Sequence, residues 1–259
     1  MSGPYASVSV VIPVYRGAAT LERALRSVAA QTLLPAEVIV VDDASDDDTP
    51  ERLAALGRQE WPFALQLLRL PENKGPGEAR NAGWAVATGE WVAFLDADDG
   101  WLPEKLERQI GWMREHREFV WSAHRCPPLG APQTSTSGRY LRATQIGLLW
   151  RNRVATSSVV LKRAVQSRFR PQWWRCEDFL IWQDLLAADC AGVILGETLG
   201  FHGRAPTSKG GLTGDLEAMH AAELQAIDLL YREGRLSAAA AVAWKTWTRL
   251  KYLRRKILR

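Results

Sequence analysis

The chain has 259 residues, 47% of them hydrophobic, which is enough to bury a sizeable core in one α/β domain followed by a tail. Its formal charge of +4 is concentrated at one end: residues 235–259 hold eight Lys or Arg and no acid, so the main domain lacks the basic groove of a nucleic-acid binder and no nucleic-acid partner is expected. Three cysteines without CxxC spacing argue against a disulfide framework and fit a reducing cytoplasm; the absence of a basic-then-apolar leader and of any run of about 20 apolar residues argues against a signal peptide or a membrane span.

Ser7 to Pro13 is a β-branched run of strand length, and from Thr20 the residues Leu21, Ala24, Leu25, Val28 and Ala29 recur at helical spacing. Glu37 to Val41 predicts a second buried strand, and Thr49-Pro50 supplies a helix start. Leu65 to Leu70, a helix after Gly75-Pro76-Gly77 and Trp91 to Leu95 continue the alternation. A mostly parallel, Rossmann-like sheet with helices on both faces follows. Leu102, Leu106, Ile110 and Met113 predict another amphipathic helix, and Phe119 to Ser122 another strand. Beyond it, Cys126 to Gly138 reads as loop, Ser157 to Leu161 and Val193 to Leu195 as short strands, Phe179 to Ala188 as helix, and Gly203 to Gly214 as a mobile loop. Asp215 to Glu233 and Ser237 to Leu258 predict two terminal helices. The expected organisation is a main domain over 1–214, with a nucleotide-binding half (1–115) and a second half (116–214) that receives the other substrate, then C-terminal helices over 215–259 ending in a basic amphipathic tail.

Ligands of open α/β sheets bind beyond the carboxyl ends of the strands, which here carry Pro13-Val14-Tyr15, Asp42-Asp43 and Asp96-Ala97-Asp98-Asp99. Asp46-Asp47-Asp48 reads as a solvated turn. The acids from Asp96 to Asp99 differ because they leave an apolar strand together, where mutual repulsion is costly and a divalent cation would relieve it. Hard oxygen ligands without thiols favour Mn2+ or Mg2+ over zinc, and such an ion commonly bridges a carboxylate to substrate phosphates. A departing diphosphate needs that neutralisation.

Five motifs in order now resemble the family 2 glycosyltransferases, which have the GT-A fold: Val10-Val11-Ile12-Pro13-Val14-Tyr15; Val40-Val41-Asp42-Asp43-Ala44-Ser45; Asn73-Lys74-Gly75 with Ala79-Arg80-Asn81-Ala82-Gly83; Gly89-Glu90; and Phe94-Leu95-Asp96-Ala97-Asp98-Asp99. The resemblance covers about the first 115 residues strongly and is traceable to Ser208. It implies an inverting enzyme that moves a sugar from a nucleotide-diphosphosugar, a UDP-sugar foremost, to a hydroxyl of a saccharide or lipid-linked saccharide, in bacterial cell-surface polysaccharide or glycolipid synthesis. It implies that Tyr15 stacks on the base beside Pro13, that Asp43 and Asp42 accept from base or ribose, and that Arg80 sits near diphosphate or sugar. Asp98 is then the direct metal ligand, Asp96 a ribose or metal contact, and Asp99 a substitute for either. The family's acidic pair before a later apolar helix corresponds to Glu177-Asp178, with Asp178 as general base and Glu177 in support; ordinary helix-start acids are the alternative. His202 and Arg204 resemble the loop that closes over the donor, His202 as a further metal ligand and Arg204 on phosphate, although relatives carry arginine before histidine there.

On a helix, Ala243, Trp247, Leu250, Leu253, Ile257 and Leu258 share one face and Lys245, Arg249, Lys251, Arg255, Lys256 and Arg259 much of the other, with Arg254 breaking the stripe. Docking on an anionic membrane surface and packing on protein both remain open. The expected location is cytoplasmic, peripheral on the inner face of the cell membrane. Two rival readings share the fold. A sugar nucleotidyltransferase would need a Gly-rich basic loop where only Arg16-Gly17 follows Tyr15, and a non-catalytic membrane-associated binding protein would have no use for both Asp98 and Asp178.

Overall fold

The β-branched runs form the strands of a computed structural model that describes residues 5–131, 136, 138–203 and 214–257. The alternation begins with β1 (Tyr5–Val14), α1 (Ala18–Ala29), β2 (Leu34–Asp42), α2 (Thr49–Gly57), β3 (Ala64–Arg69), α3 (Pro76–Val86) and β4 (Trp91–Phe94). β5 (Gly100–Trp101), α4 (Lys105–Glu115), β6 (Trp121–Arg125), β7 (Tyr140–Arg142), α5 (Gln145–Trp150), a 3-10 turn (Thr156–Ser158) and β8 (Val160–Lys162) follow. The chain continues with α6 (Glu177–Ala187), β9 (Gly192–Thr198), β10 (Gly200–Phe201), α7 (Leu216–Arg232) and α8 (Ala238–Ile257).

Among the described residues, eight strands join in the order β3-β2-β1-β4-β8-β6-β9-β7, while β5 and β10 form a separate antiparallel pair. β1, β2, β3 and β4 are mutually parallel, as a βαβ chain requires. β8 runs antiparallel between β4 and β6, and β7 runs antiparallel on β9. Alternation across β1 feeds both faces of the core: Val8, Val10 and Ile12 pack with α1 residues Leu21 and Leu25, whereas Val11 packs with Ala79 and Trp84 of α3. Helix α3 can lie this close because position 83 is glycine; a Cβ there would stand 2.5 Å from Val11 Cγ1. Asn81 fastens α3 to the segment before α6, its Nδ2 donating to the Phe169 carbonyl at 2.7 Å and its Oδ1 accepting from the Phe169 amide at 3.0 Å.

Two predicted strands shift. Phe119 is taken up by the turn that closes α4, its amide donating to the His116 carbonyl at 3.1 Å, so β6 starts two residues later. The Ser157 to Leu161 run begins as a 3-10 turn, with the Ser158 amide and hydroxyl both donating to the Ala155 carbonyl, and becomes strand at Val160. β7 and α5 are too short to leave a periodic signal; α5 starts at Thr144, whose side chain accepts from the Gly147 amide at 3.0 Å.

The terminal helices α7 and α8 pack on one another and on α5 and α6. Ala226 meets Leu180 and Cys176, and Ile227 and Leu230 meet Leu149. α8 presents Ala241 and Thr248 inward, stacks Tyr252 on His220 and pairs Lys245 with Asp228. Trp247 leaves the predicted apolar stripe for protein, stacking on Trp150, while Leu250, Leu253 and Ile257 remain exposed. No helix among the described residues is long and apolar enough to cross a membrane.

Candidate active site

Parallel pairing of β1, β2 and β4 brings their carboxyl ends to one edge of the sheet, where a large cleft opens toward α6. Pro13, Tyr15, Asp43, Arg80, Asp96, Asp98, Asp99, Asp178 and His202 all line it. Asp42 does not. Its carboxylate is buried under the β2 turn, where Oδ1 accepts from the Ser45 amide at 2.9 Å and Oδ2 lies 3.3 Å from the Arg69 guanidinium. Arg204 lies outside the described residues, as do Ser208 and most of the predicted closing loop.

At the β1 and β2 ends, Tyr15 is exposed, with the Arg16 guanidinium 5.2 Å from its ring centroid. Asp46 holds Arg16 through two 2.6 Å hydrogen bonds, and Arg16 draws the Asp46 carboxyl down to about 2. The solvated acidic turn thus fixes the residue beside the aromatic ring. Asp43 accepts from the Lys74 and Gly75 amides at 2.8 and 2.7 Å, while burial pushes its pKa up against these bonds. Gly75 has φ +87°, and a Cβ would stand 3.3 Å from Trp174, so glycine lets this loop reach Asp43 beneath the indole.

The acids after β4 separate into distinct environments. Asp99 is buried and fully engaged: Oδ2 accepts from Ser157 Oγ at 2.6 Å and contacts His202 Nδ1 at 3.1 Å, and Oδ1 accepts from the Gly203 amide at 3.1 Å. That hydrogen bond raises the His202 pKa against the effect of burial, and holding the ring through Nδ1 leaves Nε2 for a ligand. Asp98 stands half-buried on the cleft wall, its backbone carbonyl held by Arg23 at 2.5 Å. Among the described residues no three His, Cys, Asp or Glu side chains form a ready-made cation site. The Asp98 and His202 side chains line the same cleft.

Arg80 joins the two acidic regions. Nearly sealed from solvent, it donates to Asp96 Oδ1 at 2.7 Å and to Glu177 Oε1 at 2.9 Å. Its guanidinium is committed to these carboxylates, so it organises the cleft floor as well as lining it. Glu177 and Asp178 open α6 from Cys176, which has φ +60°. Asp178 Oδ1 accepts from the Phe179 amide at 2.7 Å and Oδ2 from Asn152 Nδ2 at 3.4 Å. Burial pushes the Asp178 carboxyl above its ordinary range; the Phe179 amide and Arg80 oppose that shift and Asp96 adds to it. Burial also raises Glu177, against the attraction of Arg80.

Sequence reasoning missed Ser157, which ties the β4 turn together by accepting from the Asp96 amide at 3.0 Å while donating to Asp99. It also missed Asn152 beside Asp178, and the arginines Arg125, Arg139, Arg151, Arg153 and Arg175, which line the cleft. The density of arginine between positions 139 and 175 was the available signal.

A model of the family described as Glycosyl transferase family 2 matches residues 9–169. Over 187 residues the chain is 30% identical to the Escherichia coli protein named UDP-Glc:alpha-D-GlcNAc-diphosphoundecaprenol beta-1,3-glucosyltransferase WfgD, with 69% of each chain covered. Two other bacterial relatives are 44% and 46% identical over 103 residues, and the chain spans only 28% and 31% of their length. S. aureus TarS in complex with UDP-GlcNAc superposes with a TM-score of 0.69 at 20% identity, covering 92% of this chain and 70% of that one. The mannosyltransferase PcManGT from Pyrobaculum calidifontis, in complex with GDP-Man and Mn2+, gives a TM-score of 0.67 at 18% identity over 96% of this chain and 69% of its own. The shared architecture is the GT-A fold.

Proposed function

Because the chain belongs to glycosyl transferase family 2, we propose that it transfers a sugar with inversion from a nucleotide-diphosphosugar to a saccharide hydroxyl. The observation that carries this reading is the Arg80 bridge, which joins Asp96 on the donor edge to Glu177, a residue 97 positions from Arg80 in sequence and beside Asp178. A donor sugar seated over that bridge has the nucleotide on one side and the acceptor hydroxyl on the other. UDP is the favoured nucleotide, since TarS and WfgD both carry UDP-sugars in their names.

Tyr15 and Pro13 flank the base and Asp43 accepts from it, already oriented by the Lys74 and Gly75 amides. Arg80 holds Asp96 and Glu177 in place. Asp98 and His202 would hold Mn2+ or Mg2+, with Asp99 orienting the imidazole and Asp96 next to the ribose or the ion. Such an ion neutralises a departing diphosphate. Arg204 remains our candidate for an added phosphate contact. Asp178 removes the proton of the acceptor hydroxyl; its remaining support comes from the Phe179 amide and Asn152. Direct attack opposite the departing diphosphate needs no covalent sugar-enzyme intermediate. The acceptor is a saccharide carried on lipid, made in cell-surface polysaccharide synthesis, and the exposed Leu250, Leu253 and Ile257 with the basic tail hold the protein on the inner face of the membrane. We retain the division into a nucleotide-sugar half over 1–115, an acceptor half over 116–214 and a terminal pair of helices over 215–259 as the functional layout.

Incubation with a panel of nucleotide sugars and Mn2+ tests this reading. Release of nucleoside diphosphate is the expected result, and pyrophosphate exchange in its place would identify a nucleotidyltransferase.

A further inference from the structure

The acceptor wall of the cleft carries positive charge that the chemistry so far leaves unused. α5 ends at Trp150, and the next residues, Arg151, Asn152 and Arg153, all line the cleft. Asn152 reaches Asp178, which puts both arginines on the segment that touches the proton acceptor. Arg175 lines the same cleft three residues before Asp178. Other arginines face carboxylates: Arg16 pairs with Asp46, Arg80 with Asp96 and Glu177, Arg170 and Arg235 with Asp184 and Glu233, and Arg175 itself lies 4.0 Å from Asp215, so the charge without a carboxylate belongs to Arg151 and Arg153. Arg151 and Arg153 are exposed, and neither makes a side-chain hydrogen bond or ion pair among the described residues. Exposed guanidinium forks without carboxylate partners suit phosphate oxygens.

An apolar surface adjoins this loop on its outer side. Trp150 stacks on Trp247 of α8 at 4.3 Å, and its carbonyl accepts from Trp247 Nε1 at 3.2 Å, so α8 braces the first residue before the arginines. Ile146 on α5 and Leu250, Leu253 and Ile257 on α8 are all more than half exposed. The Asn152 contact to Asp178, the two arginines and the Trp150–Trp247 pair therefore lie on one short segment, and the exposed aliphatic residues share α8 with Trp247.

We propose that Arg151 and Arg153, with Arg175 alongside, form a diphosphate subsite for an acceptor sugar joined through that diphosphate to a long apolar chain. The sugar hydroxyl meets Asp178, the diphosphate meets the arginines, and the chain leaves over the tryptophan pair toward the stripe on α8. The proposal rests on the glycosyltransfer reading above, because Asp178 fixes where the sugar lies. Charge separates this subsite from the donor's: the donor edge presents Asp43, Asp96 and Asp98, whereas the Arg151–Arg153 segment presents two cations and no acid.

Calorimetric titration of the full chain tests it. UDP with Mn2+ is titrated first; failure to bind counts against the donor reading alone. The protein, with UDP and Mn2+ present, is then titrated with farnesyl diphosphate, farnesol and inorganic pyrophosphate. Farnesyl diphosphate is expected to bind about tenfold or more tighter than either of the others, and Arg151→Gln with Arg153→Gln to weaken it about tenfold or more without changing UDP affinity. Arg151→Lys with Arg153→Lys is expected to keep part of the binding. Equal affinity for farnesol and farnesyl diphosphate would overturn the proposal in favour of plain apolar adsorption. Pyrophosphate binding as tightly as farnesyl diphosphate, or a double Gln variant that binds like the parent, would overturn it as well.

Discussion

In the proposed reaction Asp178 takes the acceptor proton and Asp98 holds the ion, and substitution separates the two roles. Asp178→Asn keeps the shape and the Asn152 contact but removes the proton acceptor, so transfer is expected to fall about 10²-fold or more while donor affinity stays within a factor of about two. Asp98→Asn is expected to do the reverse, weakening Mn2+-dependent donor binding, which calorimetry with and without the ion reads directly. The raised Asp178 pKa gives a sign for pH dependence. Only the ionised form accepts a proton, so kcat/KM should be lost as pH falls through a value above the ordinary Asp range. Because Asp96 adds to the shift that burial causes, Asp96→Asn should move the acid limb of the profile to lower pH; a limb that moves to higher pH would contradict Asp178 as the base.

At the level of elements, α3 shows how a short motif encodes a close approach. Ala79-Arg80-Asn81-Ala82-Gly83 puts three separate jobs on one helix: Arg80 bridges two carboxylates, Asn81 binds the Phe169 backbone, and Gly83 lets the helix rest on Val11. Gly83→Ala forces a methyl into that contact and is expected to cost about 1–3 kcal/mol, seen as a melting temperature several degrees lower. An unchanged melting temperature would mean that α3 can lift from the sheet freely. The βαβ half was legible because its strands are long, apolar and periodic, so their carboxyl ends could be located and with them Tyr15, Asp43 and Asp96 to Asp99. The stretch from 116 to 214 was harder to read. Its elements are short, β7 and α5 spanning three and six residues, and its key contacts are long-range: Ser157 to Asp99 across 58 positions and Asn152 to Asp178 across 26. Asp42 and Asp43 look equivalent in sequence, and only the β2 turn, which buries one and aims the other at Gly75, tells them apart.

On the scale of the whole molecule, acids and arginines line one cleft, and α8 carries exposed leucines and an isoleucine. Helical spacing found the amphipathic tail but could not say which stripe protein would cover, since Ala241 and Thr248 make the inner contact and Trp247 is captured by Trp150. On the proposed membrane role, Leu250→Ser, Leu253→Ser and Ile257→Ser together should abolish co-sedimentation with anionic vesicles while leaving the fold intact. Raised salt should weaken it, because each basic residue near such a surface contributes about 1 kcal/mol. Co-sedimentation unaffected by either change would leave α8 as a packing helix only.

The account stands most directly on a single assay of the parent chain and Asp178→Asn side by side, with nucleotide sugars, Mn2+ and a diphosphate-linked saccharide acceptor. The expected result is nucleoside diphosphate release coupled to acceptor glycosylation by the parent, and a variant that binds the donor but transfers about 10²-fold more slowly or less. Full transfer by Asp178→Asn would contradict it.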